Sequence, residues 1–100
     1  MLKLSLAIPA DLTDDVVIVL STEVAVSSIA VVRGASIEPR GDLVYADVAR
    51  EHANVVITRL RSLGVAQEGT LHITPVDTWL SKAGLDAAER APGSGADAVI

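Results

Sequence analysis

The residues best equipped for chemistry fall in one short stretch, Asp47-Val-Ala-Arg-Glu-His-Ala-Asn54. Wound as a helix, it sets Asp47, Arg50, Glu51 and Asn54 along one flank, continued by Thr58 and Arg61 beside an apolar stripe. Arg50 offers a forked donor for phosphate or carboxylate. Asn54 adds a paired donor and acceptor, and Asp47 an acceptor for a hydroxyl or ring amine. The same residues also form ordinary i,i+3 and i,i+4 pairs on a solvated helix face, so their spacing is suggestive and unspecific. A second candidate is Arg33-Gly34, at the head of a segment running to Gly41. There backbone amides and a guanidinium could meet an anion while the loop closes over it, although a plain flexible hairpin loop is the simpler reading. The ligand-binding set expected from these segments is Arg33, Gly34, Asp47, Arg50, Glu51 and Asn54, and the ligand they fit is small and anionic.

Catalysis finds no comparable anchor. There is no G-x-S-x-G elbow and no glycine-rich loop ending in Lys-Ser or Lys-Thr to cradle a triphosphate. Asp14 and Asp15 fall at a presumed helix start, where capping explains them better than acid–base work. His52 and His72 lie twenty positions apart without cysteine or a metal-ligand spacing, so each is expected to be a surface or packed imidazole. Neither a metal, a cofactor nor an enzymatic activity is expected. Trp79 could stack on a ligand ring, but packing at the core edge is the simpler role.

The elements that must carry these residues follow from pattern and punctuation. One hundred residues suit a single domain, and with half of them hydrophobic but only Tyr45 and Trp79 aromatic, the core must be Val, Leu, Ile and Ala. Leu2, Leu4 and Leu6 alternate with Lys3, Ser5 and Ala7 as a first strand before Pro9. Asp11 is placed to cap a helix from Leu12 to Thr22, although its β-branched centre, Val16 to Val19, locally prefers strand. Val26 to Arg33 and Asp42 to Val48 read as a hairpin with a long loop. From Ala49 to Leu63, apolar residues recur at helical spacing, and Gly64 stands where a C-terminal cap belongs. Thr70 to Val76 alternates again as a fourth strand, with Pro75 marking an edge. The order βαββαβ predicts an α+β, ferredoxin-like sandwich over residues 1–76: four antiparallel strands with two helices on one face. Residues 77–91 form a helix-compatible extension that Gly84 weakens, and residues 92–100 a linker or tail.

Charge and length bound the partners. Thirteen acidic against eight basic residues give a net charge of −5, which repels a phosphate backbone and argues against a nucleic-acid polymer. The longest strictly apolar run, Val16 to Leu20, is far short of the ~20 residues of a membrane span. The sheet face away from the helices needs a cover, which makes a homo-oligomer the expectation, with a polar outer face as the alternative.

Several segments, IPADLTDDVV near the start, Arg33-Gly34-Ala35, GDLVYADVAREHAN from Gly41 to Asn54, RLRSLGV and VDTWLSKA, resemble the bacterial family catalogued as domain of unknown function 389. The resemblance covers nearly the whole chain and carries over no catalytic residue. It implies a cytosolic domain of a bacterial inner-membrane protein, followed by membrane-spanning helices that lie beyond this chain. At the level of fold, such domains are also similar to PII-type and ACT-type sensors that bind nucleotides or amino acids. These readings converge on a sensory or regulatory domain that oligomerises and binds a small anionic ligand such as an adenine nucleotide. The alternative is a pure assembly module without a ligand.

Overall fold

A computed structural model of the chain describes residues 1–91; the expected linker from Pro92 onward lies outside them. Strands β1 (Leu2–Ile8), β2 (Val26–Ser36), β3 (Gly41–Val48) and β4 (Thr70–Pro75) form one antiparallel sheet in the order β2-β3-β1-β4. With helices α1 (Ala10–Thr22) and α2 (Ala53–Ser62) between the strands, the fold is the α+β, ferredoxin-like arrangement that the element order predicts.

Alternation along the central strands decides which face is buried. Leu4, Leu6 and Ile8 of β1 and Val44, Ala46 and Val48 of β3 are at most 2% exposed, and the residues between them are only half-buried or exposed. Against that face α1 lays Thr13, Val16, Val19 and Leu20, and α2 lays Ala53, Val56 and Leu60. The β-branched run in α1 is therefore helical because packing of its i, i+3, i+4 face outweighs a local preference of a few tenths of a kcal/mol per residue.

Several boundaries differ from the sequence reading. The first helix starts at Ala10 with Pro9 at its N-cap and no side-chain cap, so Asp11 sits in the first turn instead of capping it. Proline suits this position because its fixed φ is already compatible with helix entry and an N–H there would have no helical partner. The second strand runs on to Ser36, which shortens the hairpin turn to residues 37–40. The expected helix from Ala49 breaks into a 3-10 turn, Arg50–His52, followed by α2, and a short helix α3 (Val65–Glu68) precedes β4. Gly64, at φ 91, lies just past α2 as its terminator.

The extension forms a helix, α4 (Lys82–Arg90), whose start is capped by the Ser81 hydroxyl accepting from the Gly84 N–H at 2.9 Å. It lies against β2 and β3, with Ala88 and Ala91 joining the main core. Arg90 donates to the Val24 carbonyl at 3.0 and 3.2 Å. Trp79 is buried, 8% exposed, and meets Met1 around Gly84, as core packing requires.

The face away from α1 and α2 carries Lys3, Ser5 and Ala7 from β1 and Leu43, Tyr45 and Asp47 from β3, with Ser28, Ala30, Val32, Thr70, His72 and Thr74 on the outer strands. Its half-buried centre of Ala7, Leu43 and Tyr45 is bordered by polar side chains, and the Lys3 ammonium sits 5.1 Å from the centroid of the Tyr45 ring. This face is mixed and not a continuous apolar sheet.

Candidate functional site

The six residues expected to hold a ligand divide between the two ends of the sheet. Arg33 and Gly34 lie at the hairpin end, next to Asp42 at the start of β3. Asp47, Arg50, Glu51 and Asn54 lie at the other end, where β3 runs out into the 3-10 turn and α2. Six residues of strand rise separate Asp42 from Val48, about 20 Å. One small ligand therefore does not touch both groups.

The second group is also not one helical flank. Asp47 belongs to β3, opposite Lys3 of β1 and Ser28 of β2. Arg50 and Glu51 belong to the 3-10 turn and Asn54 to the exposed first turn of α2. The helical spacing extended backward across a strand end, which the fold breaks at Ala49. The charges here gather around the chain's first residue: burial, and after it the Arg50 charge, lower the pKa of the Met1 amine, while Glu51 and Asp47 act in the opposite direction. Further along α2, Arg59 binds Glu23 at 2.6 Å and Thr22 at 3.0 Å, and His52 lies 3.4 Å from the other Glu23 oxygen. This cluster ties the end of α1 to α2.

The hairpin end is built differently. Asp42, 3% exposed, is the most buried carboxylate in the described residues, and each oxygen is engaged. Its Oδ2 accepts from the Thr13 hydroxyl at 2.6 Å and from Arg33 at 3.5 Å, and its Oδ1 accepts from the Gly34 N–H at 2.8 Å. Gly34 presents that N–H with φ +70, a conformation that favours glycine. Arg33 reaches on to Asp14 at 3.4 Å, but its side chain is 64% exposed and both of its ion pairs are long. Asp42 thus pins the end of β2 to α1.

Beside this pin opens a cleft of about 780 Å³ lined by Ala10, Gly34, Ser36, Ile37, Arg40, Gly41 and Asp42. Arg40 is exposed and makes no hydrogen bond or ion pair among the described residues. Ala10 brings the first turn of α1, a 13-residue helix without a side-chain cap, to the cleft wall. The positive end of the helix dipole therefore borders the same cleft as a guanidinium. Of the expected residues, Gly34 lines this cleft, with Arg33 next to it in sequence. Arg40, Thr13 and Asp42 were not singled out by sequence, although Arg40 is the only basic residue between Gly34 and Gly41.

Thr13 and then Gly34 hold the Asp42 carboxyl below its ordinary value of 3.8. Above that value Asp42 is ionised whether the chain is folded or unfolded, and its stabilising contribution is complete. As pH falls below 3.8 the unfolded chain binds the proton first, and the contribution is lost progressively down to the lowered folded value. Thr13→Val removes the leading cause of the shift and leaves a buried acceptor one donor short. It is expected to cost about 1–3 kcal/mol at neutral pH and to flatten the acid limb of a stability curve measured by urea denaturation between pH 2 and 7.

Compared with known protein families the chain matches no family model, and no curated protein matches it. Neither comparison adds support for the expected resemblance to the domain of unknown function 389 family. Among the described residues, no helix is long and apolar enough to cross a membrane, and no group of three or more His, Cys, Asp and Glu side chains could hold a metal ion.

Proposed function

We propose that this chain is a regulatory binding domain that takes a small anionic ligand, a phosphate- or carboxylate-bearing molecule such as an adenine nucleotide, in the cleft between the hairpin and the start of α1. The observation that carries this reading is Arg40: a guanidinium without a partner among the described residues, on a cleft that the start of α1, a helix with no side-chain cap, also lines. Arg33, loosely held by two carboxylates, is close enough to be recruited, and the Asp42 pin fixes the hairpin against which a ligand would settle. The role is binding and not catalysis. The Thr13 hydroxyl that donates to Asp42 is fully buried, out of reach of a substrate, and the carboxylate it meets is also held by the Gly34 N–H. In the setting that the family resemblance implies, the domain sits on the cytosolic side of a bacterial membrane protein and couples occupancy to a following membrane part.

A thermal-shift series with ATP, ADP, inorganic phosphate and glutamate tests this. At about a hundred times its Kd a ligand stabilises by about 2.7 kcal/mol, a rise of about 11–22 °C for a domain of this size. Arg40→Ala is expected to abolish the shift. Arg61→Ala is the control, because its guanidinium is equally unpartnered but lines a shallow groove beside β4. No shift with any of the four probes, or an equal loss in both variants, would overturn the assignment.

The second reading, an assembly module without ligand, draws on the exposed edge of β2, which carries the inference below.

A further inference from the structure

The two edges of the sheet are guarded unequally. The β4 edge is six residues long and ends in Pro75, which cannot donate to another strand. The β2 edge runs for 11 residues, VSSIAVVRGAS, with no proline, no lysine and a single charge, Arg33. Helix α4 lies against β2 but leaves its middle open: Ile29 is 37% and Val32 46% exposed, and Ser28 and Ala30 are not buried either. In an antiparallel edge strand alternate residues point their N–H and C=O groups away from the sheet, so this stretch offers a row of backbone partners.

We infer that β2 pairs with β2 of a second copy of this chain, antiparallel about a twofold axis near Ala30, joining two four-stranded sheets into one of eight strands. The segment is complementary to itself in that register. Ser28 falls opposite Val32, Ile29 opposite Val31, and Ala30 opposite its own mate, so small, β-branched and hydroxyl side chains meet without a buried charge. Each Arg33 lies beyond this pairing and well away from the other, so a chain of net charge −5 brings an uncharged segment, residues 28–32, to the contact. A second copy, and not an extended peptide of another protein, is the occupant because the edge supplies its own matching strand with the same length, twist and apolar pattern. The inference goes beyond the cleft reading and is independent of it, since the paired residues 28–32 include none of the cleft residues.

The chain has no cysteine, so single-cysteine variants report the contact without interference. Ala30→Cys places two thiols face to face across the axis, within the 4.4–6.8 Å Cα separation that a disulfide spans. Mild oxidation is expected to convert most of the protein to a covalent dimer. Ile73→Cys on the β4 edge and Tyr45→Cys on the open face are expected to stay monomeric. Analytical ultracentrifugation of the unmodified chain should show mass rising from 10.4 kDa towards twice that with concentration. The double variant Ser28→Lys/Val32→Lys, which sets like charges opposite one another, should remain at 10.4 kDa with an unchanged circular dichroism spectrum. A chain that stays at monomer mass at every concentration would sink the inference. So would more ready cross-linking of the Ile73→Cys or Tyr45→Cys variant than of Ala30→Cys. Arg40→Ala should leave the association unchanged, which separates this outcome from any failure of the ligand reading.

Discussion

Gly41→Ala should strongly destabilise the fold. Gly41 is buried where the hairpin passes the end of β1, and a Cβ there would drive into the Ile8 carbonyl and stand 2.8 Å from the Pro9 Cα. Both obstacles are backbone, so no side chain can swing aside. Relief requires moving the hairpin away from the entry of α1, which also breaks the Thr13 and Gly34 bonds to the adjoining Asp42. The expected cost is about 3 kcal/mol or more, a large fraction of the roughly 5–15 kcal/mol that holds a domain of this kind together. Urea denaturation followed by circular dichroism measures it. Gly34→Ala, with open space around its Cβ but φ +70, should cost only about 1 kcal/mol. Equal costs at the two positions would show that contact with Ile8 is not what reserves Gly41.

Trp79→Ala carries the second largest effect, about 3–5 kcal/mol as for other buried tryptophans. Trp79 lies beyond the last strand, yet it is buried beside Met1, and a Cβ on Gly84 would meet its ring and the Met1 methyl, each at 2.7 Å. Its indole N–H has no partner among the described residues, so its contribution rests on packing alone. The loss is expected to fall on α4 as well as on global stability. Hydrogen exchange should show α4 amides opening well before those of β1 and β3. Gly84→Leu supplies an independent readout because Trp79 is the only tryptophan: undocking α4 should shift its fluorescence to longer wavelength. If truncating Trp79 changes neither exchange in α4 nor the melting temperature, α4 is an appendage and not part of the domain.

The fold was legible wherever one periodicity ran unbroken. Leu4 and Leu6 at every second position, and Ala53, Val56 and Leu60 within the stripe from Ala49, named their buried faces correctly because burial in this fold follows those two periods. Legibility failed at junctions. Asp11 has the chemistry of a cap, but Pro9 starts the helix, and Asp47 matches a helical wheel that begins only after Ala49. The candidate site shows the same division. The Arg33-Gly34 turn could be found from glycine and a terminal cation. Its partner Asp42, and Thr13 that also binds Asp42, lie 9 and 20 residues from Arg33 and come together only because β3 lies between β1 and β2. Arg40 is marked in the sequence only as the one basic residue of its loop; that it has no partner among the described residues is a property that only a folded environment reveals.

The placement of α4 also gives the molecule a direction. Met1, Trp79 and α4 cluster where β3 ends, and the Arg40 cleft lies where β3 begins, so α4 and the cleft occupy opposite poles of the sheet. Across that span of about 20 Å the connections are hydrogen-bonded strands, which transmit displacement and torque far better than they absorb them. The sheet is the continuous hydrogen-bonded element that joins the hairpin at one pole to the Arg90–Val24 clasp at the other.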